Sequence, residues 1–261
     1  MGAELGSNSW RPGSRRFLAR HIYMWNSTIR CLRLGLAVAL FAVSLSAAAP
    51  VEFWQITDTH LMKLDGVEPA LKKVRGHYEG STPALERLFS GLRKGGPPAF
   101  LLHTGDVIDA YRFDGENGAV VEGQIEHARA VLARCPLPIY LALGNHDIQH
   151  YRRVGEKVTA DRGPDVASAA RREWRQAAAC FRDGSYYAFS RRSGKTEYHF
   201  LVLDNGEPLP PEKSAFLTAQ LEWLEKELAR RRNGPIIVAM HIPLAKDRVS
   251  EAIAQVLSRS A

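Results

Sequence analysis

Three short motifs and one isolated histidine bring together side chains that commonly bind metal ions. The motifs are Asp58-Thr59-His60, Gly105-Asp106-Val107-Ile108-Asp109 and Gly144-Asn145-His146-Asp147, and the isolated histidine is His241. Their donors are carboxylate and amide oxygens and imidazole nitrogens, with no thiolate among them. This mixed set suits Fe, Mn, Zn or Co in several combinations. On its own, His241 would be interpreted as an ordinary histidine at a strand end.

A pair of metal ions would explain why these residue types occur together. Two ions about 3.5–4 Å apart need one bridging carboxylate and neutral ligands around it. An asparagine amide provides a carbonyl oxygen without adding charge, and the two side chains of a D-x-H turn can reach one ion. A water held between the ions would lose its proton near neutral pH and attack phosphorus in line.

Each of the four groups follows an apolar segment that predicts a buried strand. These strands are expected at residues 51–57, 98–104, 137–143 and 235–240. Helices are expected at residues 82–94, 122–134, 164–180, 216–232 and 249–260. A further strand pair is expected at 185–190 and 197–204, joined by a turn at 191–195. This alternation predicts an α/β fold with a largely parallel first sheet covered by helices. Ligands bind at the carboxyl ends of strands in such sheets, which is where the four groups would meet.

Several other polar residues have simpler explanations. His103 is expected in the core or behind the metal ligands. Residues 150–153 could line a substrate cleft but are expected in a solvated loop, and the arginine runs at 171–175 and 230–232 are expected on solvated helix faces. Asp204 and Asn205 end a predicted strand and could approach the site. The leucines at positions 217, 221, 224 and 228 form one helical stripe that predicts a core-facing surface.

The order of the motifs resembles the calcineurin-like metallophosphoesterase superfamily. That series runs D-x-H, G-D-x-x-D, G-N-H-[DE], a lone histidine after a strand, and finally G-H-x-H. The first four elements occur here in order between residue 50 and about residue 245. The resemblance implies a four-layer α-β-β-α sandwich built on two sheets, and a dinuclear-metal-dependent phosphohydrolase.

The resemblance also implies a role for each motif residue. Asp58 and His60 would bind the first metal ion, Asp106 would bridge both ions, and Asn145 and His241 would bind the second. His146 would lie near the leaving-group oxygen as an acid or phosphate-binding donor, oriented by Asp147. Asp109 would lie behind the ligands. His60 and Asp109 match the branch that resembles cyclic-nucleotide and glycerophospho-diesterases, so a phosphodiesterase is the preferred class.

The fifth motif, G-H-x-H, does not occur in the sequence, where no histidine follows His241. We therefore expect residues 50–261 to form a phosphoesterase domain that lacks its C-terminal part. Two explanations are open: the chain is a fragment of a longer enzyme, or it is a full product with a damaged site. The alternative function is accordingly a catalytically impaired phosphoesterase-fold fragment or pseudoenzyme with an incomplete metal site.

Residues 1–49 have the pattern of a signal peptide. Basic residues precede the short apolar run LGLAVALFAVSLSAAAP, whose small residues suggest cleavage near Ala48 or Ala49. Starting at Met24 would give a more typical signal length. Cleavage predicts a periplasmic or extracellular protein, and an uncleaved anchor is the alternative. The two cysteines beyond this segment, Cys135 and Cys180, could pair in such a compartment or stay as thiols.

The charge distribution gives little support to nucleic-acid binding. The whole chain has a net charge of +7, but residues 1–49 contain six arginines and a single acid. The remaining residues have 29 basic and 27 acidic side chains, a net charge of +2. The partner that the family resemblance implies is a small phosphate ester, with membrane contact only through the signal sequence.

Overall fold

A computed structural model describes residues 50–94, 98–116, 118–231, 233–244 and 247–260. The predicted signal peptide, at residues 1–49, lies outside these residues, so both cleavage and export stay predictions. Within the described ranges, no helix has the length and apolar character needed to cross a membrane.

Ten strands and six α-helices occur within these described ranges. The strands are β1 (Trp54–Ile56), β2 (Leu101–Thr104), β3 (Arg112–Asp114), β4 (Val120–Val121), β5 (Ile139–Ala142), β6 (His150–Val154), β7 (Lys157–Asp161), β8 (Tyr187–Ser193), β9 (Thr196–Val202) and β10 (Ile236–Ala239). The helices are α1 (Pro69–Arg75), α2 (Ser81–Lys94), α3 (Gln124–Leu132), α4 (Pro164–Ala177), α5 (Ala215–Arg230) and α6 (Arg248–Ser260). All the strands and helices predicted above are present, most of them shorter by one to three residues at an end.

The first sheet has the order β1-β2-β5 and is entirely parallel. Every residue of β2 is buried, because this central strand is covered on both faces. The second sheet has the order β10-β9-β8, with β10 parallel and β8 antiparallel to β9. The turn between β8 and β9 is only two residues long, because β8 extends three residues into the expected turn and Gly194 adopts a φ of 58°.

The two sheets pack face to face and carry helices on their outer sides. Phe100, Leu102 and Ala142 of the first sheet region join Phe200 and Val202 of the second in one buried cluster. A second cluster packs α2, α3 and α4 against the first sheet, and a third packs α5 and α6 against the second. These layers confirm the predicted α-β-β-α arrangement. The leucine stripe of α5 also faces the core as predicted, although Leu221 is only partly buried.

A third sheet, of order β4-β3-β6-β7, was not predicted. The expectation of a solvated loop at residues 150–153 is wrong, because these residues form most of β6. Tyr151 is buried and stacks on Phe113 at a ring-centroid distance of 5.8 Å. The Asp114 carboxylate contacts His150 Nε2 at 3.0 Å and accepts the Arg153 backbone N–H at 2.9 Å. Cross-strand contacts of this kind are invisible in a short polar segment of sequence.

The expectation of a solvated helix face at residues 171–175 is correct for Arg172 and Arg175, which are exposed, but wrong for two other residues of this segment. Arg171 and Trp174 are both buried on α4. The Arg171 guanidinium donates to the carboxylates of Asp204 and Glu207, so its charge is neutralised where it is buried. At the end of α5, Arg230 is exposed as expected, but Arg231 is partly buried and donates to Glu227; Arg232 lies outside the described residues.

Candidate metal centre

Asp106 lies at the centre of a cluster of imidazoles and carboxylates at the carboxyl edge of the sheets. Its Oδ2 atom is 3.2 Å from His241 Nε2, 3.7 Å from His60 Nε2 and 3.9 Å from His146 Nε2. Asp58 Oδ1 lies 3.7 Å from His60 Nε2. Residues that follow β1, β2, β5 and β10 are therefore brought together, as the sequence predicts.

Two overlapping groups within this cluster have the geometry of metal sites. One consists of His60, Asp106 and His146, and the other of Asp58, Asp106 and His241. Within each group the ligand atoms lie no more than 4.8 Å from one another. Asp106 belongs to both groups, which is the position expected of a bridging carboxylate.

The division of ligands between the two groups differs from the predicted one. Asp58 is grouped with His241 rather than with His60, although the 3.7 Å separation of Asp58 and His60 also allows a shared ion. Asn145 precedes His146 in the same turn, and a side chain at Gly206 would collide with its backbone nitrogen. The assignment of individual residues to individual ions, and of Asn145 as a ligand, stays a prediction.

Hydrogen bonds at Nδ1 leave the Nε2 atoms of three histidines available to the cluster. His241 Nδ1 lies 3.0 Å from the carbonyl of Thr104, and His146 Nδ1 lies 2.8 Å from the carbonyl of Asp109. His60 Nδ1 lies 3.1 Å from the Asp109 carboxylate. For His60 and His241, an acceptor at Nδ1 fixes the tautomer whose Nε2 lone pair can bind a metal ion. At His146, the Gln149 amide nitrogen also lies 2.7 Å from Nδ1, so this ring has both a donor and an acceptor there. Together with the two carboxylates of Asp58 and Asp106, this donor set fits first-row metal ions.

The charges in the cluster shift the protonation equilibria of its members. Burial opposes ionisation of Asp106, but hydrogen bonding to His241 and the charge of His146 lower its pKa below the usual range. Burial likewise opposes protonation of His241, yet the Asp106 carboxylate raises the pKa of this histidine to about 9. Without a metal ion, His241 therefore holds a proton at neutral pH where a cation could bind instead.

The backbone around the cluster adopts conformations that side-chain-bearing residues seldom use. Asp58, His60 and Asp106 have φ angles of 54°, 43° and 54°. Strain of this kind, which costs about 1–3 kcal/mol per residue, is concentrated at functional sites. The turns are held by backbone hydrogen bonds from Asp58 N to Gly105 O and from His60 N to Asp106 O, both of 3.0 Å.

Two glycines of the motifs allow the ligands to approach the backbone. A Cβ atom at Gly105 would collide with the His241 ring, and one at Gly144 would collide with the Asp106 carboxylate. Gly105 also has a φ of 99°, which disfavours any other residue. Glycine is needed at both positions because the strand ends pack directly on His241 and Asp106, two of the candidate metal ligands.

Asp147 does not orient His146 as the family resemblance implies. Its side chain is fully buried, and its Oδ1 and Oδ2 accept the backbone N–H groups of Ile108 and Gly144 at 2.9 and 2.8 Å. The carbonyl of Asp109 holds His146 instead. Asp147 thus links the loops that follow β2 and β5 by hydrogen bonds to their backbone. It affects the position of His146 through these loops and not by a side-chain contact.

Asp109 and His103 lie behind the ligands, in agreement with the sequence analysis. Asp109 is fully buried and contacts His60, while His103 Nε2 lies 2.8 Å from the hydroxyl of Thr59 within the D-x-H turn. Burial lowers the pKa of His103 to about 3, so this imidazole is neutral.

Three supporting residues carry no motif that would have identified them as part of the site. Arg75, at the end of α1, donates to both carboxylate oxygens of Asp109. Tyr78 stacks on His60 with ring centroids 4.2 Å apart. Asn205 Oδ1 accepts the backbone N–H groups of His241 and Ile242, and its Nδ2 donates to the carbonyl of Ile242 at 2.7 Å. For Asn205, its place at the end of a predicted strand was the available signal.

Comparison with known proteins identifies the class to which this fold and site belong. The family model described as calcineurin-like phosphoesterase matches residues 51–259. The chain therefore belongs to the calcineurin-like phosphoesterase family, and the resemblance drawn from the motifs is confirmed.

The protein is accordingly a metal-dependent phosphoesterase, a hydrolase that acts on ester bonds. Among solved structures, it is similar to a dimetal phosphatase from Danio rerio, with 18% sequence identity and a TM-score of 0.47 over 81% of this chain and 78% of that one. A search of curated proteins gives no significant match.

Proposed function

We propose that the protein is a dinuclear phosphodiesterase. The observation that carries this proposal is the position of Asp106, whose carboxylate belongs to two metal-competent groups at once. One carboxylate shared between two groups of imidazole and carboxylate donors is what a pair of ions requires. Asp58, His60, Asp106, Asn145 and His241 would hold the ions, and Fe, Mn, Zn and Co all suit these donors.

Bound ions would supply an activated water and neutralise the charge that develops on the phosphate. The protein's own contribution is to fix the ligands and to place a proton donor beside them. His146 is suited to that second task, because its Nδ1 is held by the Asp109 carbonyl while Nε2 faces the cluster. Burial disfavours the charged imidazole, but hydrogen bonding to Asp109 and the nearby Asp106 charge raise its pKa.

In this proposal, His146 Nε2 donates its proton to the departing ester oxygen, or holds a phosphate oxygen. Asp147 keeps the turn that carries Asn145 and His146 against the loop of Asp106. The diesterase preference rests on His60 and Asp109, which match the diesterase branch in the sequence. The imidazole of His60 and the carboxylate of Asp109 are in contact at 3.1 Å, which supports a shared role for them.

We further propose that the substrate is a small phosphate ester outside the cytoplasm, such as an extracellular phosphate ester or a lipid head group. Support comes from the signal-like residues 1–49 and from the nearly balanced charge of the remaining chain, which also disfavours nucleic acid as a partner.

Specificity is tested by comparing bis-p-nitrophenyl phosphate with p-nitrophenyl phosphate after reconstitution with each candidate metal. A higher kcat/KM for the diester supports the proposal, and a higher value for the monoester with every metal would overturn the diesterase assignment.

The proton-donor role of His146 has its own signature. His146→Ala should lose more activity on a diester with a poor leaving group, such as phenol, than on one releasing p-nitrophenol. His127→Ala on α3 is the matched control, because His127 bonds Thr82 and lies outside the cluster. Equal losses on both substrates would exclude a proton-donor role.

A further inference from the structure

A second cavity lies outside the metal centre. It has a volume of about 820 Å³ and is bounded by α4, residues 183–188 and the segment that leads into α5. Small-molecule sites usually occupy roughly 300–1,000 Å³, so this cavity is large enough for a ligand the size of a nucleotide. None of the seven predicted metal-binding and catalytic residues lines it.

Cationic side chains outnumber acidic ones in the wall of this cavity. Six lysines and arginines line it, compared with three aspartates and glutamates. Arg171 is paired with Glu207 and with Asp204, and Arg230 and Arg231 share Glu227. The charges of these three arginines are therefore satisfied within the protein.

Arg172, Arg175 and Lys213 form the unneutralised part of the wall. Within the ranges that the structure describes, no carboxylate lies within ion-pair distance of any of them. Arg172 Nη1 donates to the Ser168 hydroxyl at 2.9 Å, and Arg175 Nη2 donates to the carbonyl of Arg182 at 3.3 Å. Each guanidinium keeps further N–H donors for an anion. Asp183 is the remaining acid of the lining, so these side chains leave an excess of positive charge.

Aromatic rings form another part of the same wall. Tyr186 lies 5.5 Å from Phe216 and 5.1 Å from Trp223, measured between ring centroids. All three side chains are only partly buried and line the cavity. Planar rings bind to such surfaces by stacking, and aromatic surfaces with a few convergent polar groups are typical of small-molecule sites.

Buried hydrogen bonds hold this wall in place before any ligand arrives. Arg171 is 8% exposed, and its guanidinium carbon lies 3.7 Å from the centroid of the Phe216 ring. Its partners are themselves anchored, since Ser185 Oγ donates to Asp204 at 2.6 Å and Ser214 Oγ donates to Glu207 at 3.1 Å. A preorganised wall reduces the entropy lost on binding.

We infer that this cavity is a second ligand site, for a small phosphorylated compound that carries a planar aromatic ring. The ring stacks on the wall formed by Tyr186, Phe216 and Trp223, and the phosphate is bound by Arg172, Arg175 and Lys213. A phosphate monoester matches the excess positive charge better than a singly charged carboxylate does, and arginine forms bidentate hydrogen bonds with phosphate. The site does not depend on the proposed phosphodiesterase activity.

The test uses adenosine monophosphate as the probe, measured by isothermal titration calorimetry. The full chain carries Asp106→Asn and is kept in a metal chelator, so that the metal centre neither binds nor cleaves the probe. We expect saturable binding of one equivalent. Adenosine, which lacks the phosphate, and inorganic phosphate, which lacks the ring, should each bind at least about tenfold more weakly.

Arg172→Gln/Arg175→Gln should weaken binding of adenosine monophosphate at least about tenfold, as expected for loss of charge-assisted hydrogen bonds. Arg192→Gln/Arg259→Gln is the matched control, because it removes the same charge from two exposed arginines away from the cavity. Both double variants replace only exposed arginines, so both proteins should fold. Absence of saturable binding, or equal binding by the two double variants, would overturn the inference.

Discussion

Arg75 and Asp109 form a partly buried ion pair directly behind the candidate metal ligands. Arg75 Nε donates to Asp109 Oδ2 at 2.9 Å and Nη2 donates to Oδ1, while the same carboxylate contacts His60. Burial opposes ionisation of Asp109, but the hydrogen bonds from Arg75, His146 and His60 hold its pKa far below the usual range. Arg75 thus keeps Asp109 charged and directed at the imidazole of His60, a candidate metal ligand.

Arg75→Gln should therefore weaken the metal centre without removing any ligand. Loss of a partner behind a metal-binding histidine typically costs about 10–100-fold in metal affinity or activity, and we expect a loss of that size in both. The measurement is kcat/KM together with the apparent metal Kd. Arg129→Gln is the control, because Arg129 forms only an exposed pair with Glu126. Unchanged metal affinity in Arg75→Gln would show that the pair has a purely structural role.

The sequence was informative where chemistry is concentrated in short motifs. Strand ends that carry Asp106, Asn145 and His241 could be recognised because three motifs and a histidine each follow a predicted strand, in the order typical of the family. Arg75 could not, since it meets Asp109 across 34 positions of sequence and only the packing of α1 brings the two together. Arg171 was misassigned for a similar reason, because its carboxylate partners lie 33 and 36 residues away.

Asp147 shows a different limit of sequence reasoning. Its place next to His146 suggested a direct contact, but residues adjacent in a tight turn point in different directions. The structure directs its carboxylate to two backbone N–H groups instead. The third sheet was missed because β3 and β4 have three and two residues, too few to show a period.

Metal uptake should be coupled to the loss of a proton from His241. Since the pKa of this histidine is about 9 in the metal-free protein, its proton must leave before Nε2 can bind an ion. If one proton is released for each ion bound, the apparent metal affinity should fall about tenfold for each pH unit below 9. Calorimetry in buffers of different ionisation enthalpy measures the released proton. Uptake without proton release at pH 7 would contradict this prediction.

The raised pKa of His241 also predicts how the stability of the metal-free protein depends on pH. A group whose pKa rises on folding contributes stability that is present below its unfolded pKa, here 6.5, and is lost as the pH rises through the folded value of about 9. The contribution of His241 to the free energy of unfolding should therefore decrease between pH 6.5 and 9. His241→Gln should remove this component in denaturant titrations. An identical pH profile in the variant would count against the interaction of His241 with Asp106.

Replacement of Gly105 should damage the site far more than replacement of another glycine with positive φ. Gly105→Ala introduces a methyl group into the His241 ring at a φ of 99°. We expect a loss of about 2–5 kcal/mol in stability from backbone strain and overpacking. Gly118→Ala is the matched control, with a φ of 74° and open space around the new atom, and should cost about 1–2 kcal/mol. Equal unfolding free energies for the two variants would contradict the close approach of His241.

Asn205 should be required for the position of His241 rather than for the fold as a whole. Asn205→Asp keeps the acceptor for the N–H groups of His241 and Ile242 but replaces the donor to the Ile242 carbonyl with a charged oxygen. Repulsion between the new carboxylate oxygen and the Ile242 carbonyl should shift the segment that carries His241. Metal binding should then weaken about tenfold or more. Asn233→Asp, at an exposed position, is the control. Normal metal affinity in Asn205→Asp would exclude this positioning role.

The most direct test of the metal centre is the metal-dependent rate of bis-p-nitrophenyl phosphate hydrolysis by the native chain and by Asp106→Ala. Asp106 lies in both metal-competent groups, so its removal should disrupt both ions at once. We expect activity that depends on added metal and disappears in a chelator. Asp106→Ala should lose at least about 100-fold in rate, as for removal of a group essential to the transition state. Equal rates for the two proteins under the same metal conditions would contradict this expectation.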